Sequence, residues 1–391
     1  MPFAAIHRHA RFDLLHGTLE RVRADEHVAV VAGEDVPYDK LLVAVGARRR
    51  PVIDGGAITF GGPADVAAVS AALEGASQLA FVLPAATIWP LPVYELAMLA
   101  AADLRDRGMA PEITVVTAET EPLWLFGPEA SVAVRELLAE RGIALRAGSR
   151  AVGARPGELM LADGPPVAAD RVIALPELIG PTIPGLPQGP SYFIPTDTHG
   201  RVDGVPDVFA AGDATAFPLK QGGLATQQAD AAAEQIAADL GAAVTPKPFR
   251  PVLRGLLLTG GAPLYLRSAL TAAGTPTRTD VRRTPRAVVS QRALWWPPAK
   301  IAGRYLAPLL ATARPPLLSA AQMQDLRPGA ADDDGDDARE LALLMAQEDA
   351  AVGDYAQALR SLDAATMLAG GVLPAEWADR RRHWEAAHSP G

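Results

Sequence analysis

The 391-residue chain contains no cysteine. Disulfides, thiolate nucleophiles, Cys-ligated iron–sulfur clusters and thiol–disulfide relays are thereby excluded, because each needs the sulfur itself. A basic footprint is lacking too. Asp and Glu number 45 against 36 Lys and Arg, for a formal charge of −9, which disfavours nucleic acid as a partner. No apolar run approaches the ~20 residues that span a bilayer, and no basic segment followed by an apolar one opens the chain. The expected location is the cytoplasm, with attachment to the inner face of the membrane as the alternative. Histidines are few and scattered. The one close pair, His7-x-His9, has no acidic neighbours, so no metal site is expected. No Ser–His–Asp or Walker pattern is visible, and no G-x-G triplet occurs anywhere.

What is present is an α/β rhythm, in a chain long enough for two or three domains and with 49% hydrophobic residues to pack them. Phe12 to Val31 predicts short strands, "DLLHGTLERV" and "HVAVVAG", joined by a turn at Asp25-Glu26. Leu41 to Val45 is apolar at every position and ends in Gly46, the pattern of a strand buried on both faces. From Ala57 to Leu175 helices and strands alternate. A helix at "AALEGA" precedes a buried strand Gln78–Leu83, a proline-rich loop and a helix Tyr94–Gly108. Then come the strand "EITVVTAE", a helix Pro128–Gly142, the strand "IALRAGS" and a hairpin-like return through "ELMLADGPPVAADRVIALP". That order predicts a right-handed parallel sheet. Next, "GVPDVFAAGDATAFPLKQGGLATQQADAAAEQIAADLG" supplies a strand, a polar loop and a long helix ending at Gly241.

Three blocks carry a family resemblance: "YDKLLVAVGARRRP", "DVFAAGDAT" and "KQGGLATQQADAAAEQIA". In order and spacing, from about residue 10 to residue 315, they resemble the FAD/NAD(P)-dependent pyridine-nucleotide oxidoreductases, and within them the branch of type II NADH dehydrogenases and sulfide:quinone reductases. The resemblance implies an α/β fold of two Rossmann-like dinucleotide-binding domains with a C-terminal α/β cap. It implies FAD as cofactor and electron transfer from a small-molecule donor to a quinone-like acceptor. The chemistry agrees with the residue types. Reduction puts negative charge on a flavin ring, and the protein's share is to bind, orient and stabilise it. Asp213, at a strand tip, can accept hydrogen bonds from ribityl hydroxyls or a bridging water, and Gly212 permits close approach. The helix opening near Gly222 and Gly223 aims free N–H groups and its positive dipole end at the ring. Gly46, Lys220, Gln221 and Gln227 complete the expected cofactor set, with a surface charge as the alternative for Lys220.

Two departures qualify that picture. The family opens with a strand–G-x-G-x-x-G–helix unit against the FAD pyrophosphate. Here Met1 enters some tens of residues past that point, so the first domain is expected to be incomplete at its N-terminus and to retain FAD poorly. A misassigned start, a fragment and a degenerate relative are the alternatives, and the sheet is expected to expose an apolar edge. The second departure is the loop "PAATIWPLPVYELA", where Trp89 and prolines stand in place of a second glycine-rich turn. This disfavours NAD(P)H. Glu95 falls where the family's helix-opening Glu faces the flavin's nicotinamide side. Glu119 matches a ribose-binding acid by position, or is an exposed strand-end charge. Trp89, Pro90 and Glu119 are expected to line the donor side. The cysteines used by sulfide-oxidising members are absent, so the donor stays unidentified.

Beyond residue 246 the chain offers Trp295, Trp296, Lys300 and an apolar stripe of Ile301, Tyr305, Leu306, Leu309 and Leu310. Arginines 278, 282, 283, 286 and 292 lie close by in sequence. Peripheral membrane contact, burial in a homodimer and core packing are all compatible with this segment. Trp296 and Lys300 are placed nearest the acceptor and, with Glu95, form the expected catalytic set. The acidic run at 332–337 reads as a solvated linker. The tail resembles a tetratricopeptide-like helix pair, with Ala346, Gly353, Tyr355, Ala358 and Leu362 at packing positions. It is either a docking appendage for a protein partner or a plain helical tail. The expected division is a partial FAD domain at 1–56 and 178–245, an inserted NAD(P)H-domain-like unit at 57–177 and a cap at 246–320. The linker follows at 321–339 and the tail at 340–391. The rival to an FAD-dependent oxidoreductase is a flavin-free scaffold that works through its tail.

Overall fold

The computed structural model describes residues 12–84, 89–271, 274 and 287–290, and in the C-terminal part 342–343, 346–347, 350, 355–368 and 375–388. The expectations for His7 and His9, the arginines 278–292, Trp296, Lys300, the stripe 301–310 and the acidic run lie outside the described residues.

The chain opens with an antiparallel meander of β1 (Leu19–Arg23), β2 (Val28–Val31) and β3 (Glu34–Pro37). The Asp25-Glu26 turn is a single 3-10 turn, closed by His27 in the left-handed conformation. The first strand starts at Leu19 and not at Asp13. After β4 (Leu41–Val43) and β5 (Arg48–Arg50) comes the parallel layer. It comprises β6 (Ile58–Thr59), α1 (Val66–Leu73), β7 (Gln78–Leu83), α2 (Leu91–Asp106), β8 (Glu112–Thr117), α3 (Pro128–Glu140) and β9 (Ile143–Arg146). A separate antiparallel sheet, β10 (Ala151–Arg155), β11 (Glu158–Leu161) and β12 (Val167–Ala168), precedes β13 (Arg171–Ala174).

The parallel sheet has the strand order β6-β13-β7-β8-β9. The hairpin-like return expected here is thus corrected in part. Residues 151–168 do form antiparallel pairs, but β13 re-enters the parallel sheet beside β7. A carboxylate fixes that position, since Asp170 accepts the backbone N–H groups of Ser77 (2.8 Å) and Gln78 (3.0 Å). Strand periodicity divides β7 between two cores. Leu79, Phe81 and Leu83 meet helices α1 to α3. The smaller Ala80 and Val82 meet Ala151, Leu159 and Val167 of the antiparallel sheet. Both faces are therefore covered, which accounts for the unbroken apolar run.

The remaining elements are β14 (Glu177–Ile179), β15 (Val208–Ala210), α4 (Gly222–Asp239), and an antiparallel sheet of β16 (Val252–Leu257), β17 (Leu264–Ala269) and β18 (Ala287–Ser290). β14 pairs antiparallel with β5, and β15 pairs parallel with β4. The helix-side core runs without a break from the parallel layer through α2 to Leu253, Leu257, Leu264 and Leu266. Gly255 makes that junction tight, since a β-carbon there would lie 2.7 Å from Phe126 and 2.9 Å from Leu91. At the meander, Gly185 has φ +90°, and a β-carbon would lie 1.8 Å from the Val22 carbonyl oxygen.

Leu41 to Val45 departs from expectation. The strand ends at Val43, whose side chain is buried with Val22, Ile183 and Val208, while Leu42, Ala44 and Val45 are exposed. Among the described residues β4 has one strand partner, β15, so the second edge and one face are uncovered. In the tail, α5 (Tyr355–Leu368) and α6 (Ala375–His388) pack together. Ala346, Ala358, Leu362, Trp377 and Trp384 share one buried cluster with Tyr355 at its margin, bringing together four of the five expected packing positions. Gly353 lies outside the described residues. Among the described residues no helix is long and apolar enough to cross a membrane.

Candidate functional site

Strand β15 hands the chain to Gly212, whose φ of +74° favours glycine, and a single 3-10 turn then carries Asp213. A β-carbon on Gly212 would lie 3.3 Å from that of Ala225, so the turn sits directly against the opening of α4. Gln228 latches it there. Its Oε1 accepts the Gly212 N–H at 2.8 Å, and its Nε2 donates to Thr215 Oγ1 at 3.2 Å. Thr215 Oγ1 in turn donates to the Gly212 carbonyl at 2.9 Å. The adjacent Gln227, expected in the cofactor set, is engaged with the next sheet. Gln227 exchanges hydrogen bonds with the backbone of Val252 and so sews α4 to β16. The available signal was helix phase, because buried Leu224, Ala231 and Ala232 put Gln228 on the inward face.

Lys220 is buried, at 4% exposure, which decides against a surface charge. Its ammonium donates to the carbonyls of Thr215 and Phe217 and lies 3.8 Å from the centre of the Phe193 ring. Burial draws Lys220 down to about 8, and the Asp213 carboxylate opposes that shift. Burial likewise raises the Asp213 carboxyl, and Lys220 pulls it back. Gln221 caps the helix: its Oε1 accepts the Leu224 N–H at 2.9 Å, and its Nε2 donates to the Arg254 carbonyl at 3.0 Å. The N–H groups of Gly222 and Gly223, in the first turn, have no intrahelical acceptor. Gly222 is exposed and Gly46, at φ +72°, is half-buried, and at both there is open space where a side chain would stand. A cavity of about 400 Å³ opens beside the same loop, lined by Thr196, Thr198, Phe217, Gln228 and Phe249 among others. The geometry combines a carboxylate that can accept from a hydroxyl, a buried cation behind it, and the positive end of a helix.

The other expected residues each have partners of their own. Glu95, on α2, accepts the Leu258 N–H at 3.0 Å and ties that helix to the end of β16. Trp89 rests edge-on against Phe126, with ring centres 6.1 Å apart, and Pro90 caps α2. Glu119 follows β8 and is half-buried. Its Oε2 accepts the Tyr94 hydroxyl at 2.5 Å and the Thr117 hydroxyl at 3.3 Å. Burial raises Glu119 from 4.5 to about 7, against the pull of these hydrogen bonds. Between those two values the native state holds a proton that the unfolded chain releases, so raising the pH through this window destabilises the fold. Urea midpoints of wild type and Glu119→Gln are therefore expected to diverge, in favour of the variant, as the pH rises from 4.5 to about 7. A constant gap across that window would show that Glu119 ionises normally.

Residues 93–235 match the model of the pyridine nucleotide-disulphide oxidoreductase family. No curated protein sequence matches the chain. Among solved structures, the sulfide:quinone oxidoreductase of the hyperthermophilic bacterium Aquifex aeolicus is similar with a TM-score of 0.63 at 18% identity, covering 71% of this chain and 70% of that one. A ferredoxin reductase from Rhodopseudomonas palustris gives a TM-score of 0.53 at 18% identity, covering 68% and 67%. A chain of the Tetrahymena thermophila mitochondrial ATP synthase gives 0.51 at 12%, covering 68% and 72%. At these identities the likeness is one of fold. The expected α/β, Rossmann-like fold and the family resemblance are both borne out, and the matched segment contains the Gly212–Asp213 turn and most of α4.

Proposed function

We propose that the chain is an FAD-dependent oxidoreductase that passes electrons from a small-molecule donor to a quinone-like acceptor. One observation carries this reading: the Gly212–Asp213 turn is latched against the first turns of α4, with Lys220 buried behind it. These residues fit the ring-and-ribityl half of FAD. Gly46 and Gly222 leave room for a ligand, and Asp213 is placed to accept from a ribityl hydroxyl. The amides of Gly222 and Gly223 offer hydrogen bonds to the electron-rich edge of the ring, where the helix dipole favours negative charge. Lys220 holds the 215–217 carbonyls in place and keeps a positive charge near the same edge. Gln221 fixes where the helix begins, and Gln228 fixes the turn. The flavin, when bound, supplies the reversible two-electron chemistry, and the protein supplies orientation and electrostatics.

The quinone-like acceptor is supported by the likeness to the Aquifex aeolicus structure, and we assign Trp296 and Lys300 to its side, with contact at the membrane surface. Visible spectroscopy of the purified chain, with and without added FAD, tests the reading. Flavin bands are expected that bleach under a chemical reductant and return on adding a water-soluble quinone. A folded protein that stays colourless in excess FAD defeats the proposal and favours the scaffold reading.

A further inference from the structure

In a parallel α/β layer, ligands bind outside the carboxyl ends of the strands, against the helix that follows the first strand and the acid that follows the second. Here those two features belong to α2 and Glu119. Neither is open. Proline stands at the cap of α2 and again at its second residue, Pro92, which has no N–H. The N–H of Val93 is bonded to the Pro90 carbonyl at 3.2 Å. Leu91, Val93 and Tyr94 are 5%, 1% and 0% exposed, so the helix opening is packed against side chains. The Tyr94 hydroxyl already donates to Glu119 Oε2 at 2.5 Å, and the Thr117 hydroxyl adds a second bond to the same oxygen at 3.3 Å.

We infer that Tyr94 takes the place of a ligand's ribose hydroxyl on Glu119, so that the inserted layer is closed to nicotinamide dinucleotides and the electron donor is a molecule without a ribose–pyrophosphate handle. The statement about the donor rests on the flavin reading above; the closure does not. Burial pushes the Tyr94 phenol well above its usual range, which keeps it a hydrogen-bond donor across the neutral range. Three separate features reinforce one another: a blocked helix end, a dry first turn and an acid with its hydroxyl partners in place. Tyr94 thereby acts as a specificity-determining residue that works by occupation.

The test titrates the full-length chain with NADH and with NADPH, following nicotinamide fluorescence, and follows the Glu119 carboxyl by carbon NMR in wild type and Tyr94→Phe. Wild type is expected to show no saturable binding with a Kd at or below about 1 mM. Glu119 is expected to titrate near 7 in wild type and higher in Tyr94→Phe, because the lost hydrogen bond was lowering it. Saturation by either dinucleotide below about 1 mM, or a Glu119 titration identical in both proteins, overturns the inference. The wild-type titration stands even where Tyr94→Phe does not fold. Flavin content is read separately from the visible spectrum. A colourless protein counts against the flavin reading alone, and saturable NADH binding counts against the closure alone.

Discussion

Gly185→Ala is expected to destabilise the protein by about 3 kcal/mol or more, from a left-handed backbone cost of roughly 1–2 kcal/mol plus a steric term of similar size. The steric term decides the size. The new methyl would lie 1.8 Å from the Val22 carbonyl oxygen, a backbone atom with no side-chain freedom to retreat. Val22 is also hydrogen-bonded to the Pro184 carbonyl at 2.9 Å, so relief means lifting β1 off the 183–186 segment and uncovering Val22, Ile183 and Leu186. Gly33→Ala separates the two contributions. Gly33 has φ +81° but open space around its missing β-carbon, so it meets only the backbone cost, about 1–2 kcal/mol. Urea denaturation read by far-UV circular dichroism, with limited proteolysis of the meander, checks both. Equal losses for the two variants would mean that the meander yields freely at Gly185.

Asp213→Ala is expected to weaken FAD binding by about tenfold to a hundredfold, the range for losing hydrogen bonds to a charged group at about 1.5–3 kcal/mol. Asp213→Asn keeps one acceptor oxygen and is expected to fall between. The folded core has little reason to suffer, because Asp213 is a half-buried turn residue and the latch at Gln228 uses the Gly212 backbone. Equilibrium dialysis with free FAD measures the effect. A second readout comes from Lys220, which Asp213 holds up against the effect of burial. Removing the carboxylate is expected to drop Lys220 further below about 8. Unchanged FAD affinity in Asp213→Ala would remove this turn from the cofactor site.

Much of this was legible in the residues themselves. β7 could be read because it is apolar without a break, and α3 and α4 because their burial follows the helical period and glycines stand just past their ends. The Gly212–Asp213 turn and the Lys220–Gly223 helix entry could be read because the motif is contiguous. What escaped depended on partners distant in sequence. Glu95 meets Leu258 across 163 residues. Glu119 meets Tyr94 across 25, and no local pattern distinguishes an acid waiting for a ligand from one already engaged. β13 lies beside β7 because Asp170 binds backbone amides more than 90 positions earlier. The apolar run at Leu41 to Val45 carried information about neighbours that its own sequence could not supply, and the exposure of Leu42 and Val45 follows from which strands pair with it.

The missing side chain at Gly255 has a mechanical meaning. With Phe126 and Leu91 seated against its bare α-carbon, and Glu95 bonded to Leu258 at the strand's end, α2 and β16 form a seam that is tight at one point and pinned at another. Sliding α2 along β16 would push Leu91 off that position and break the Glu95–Leu258 bond.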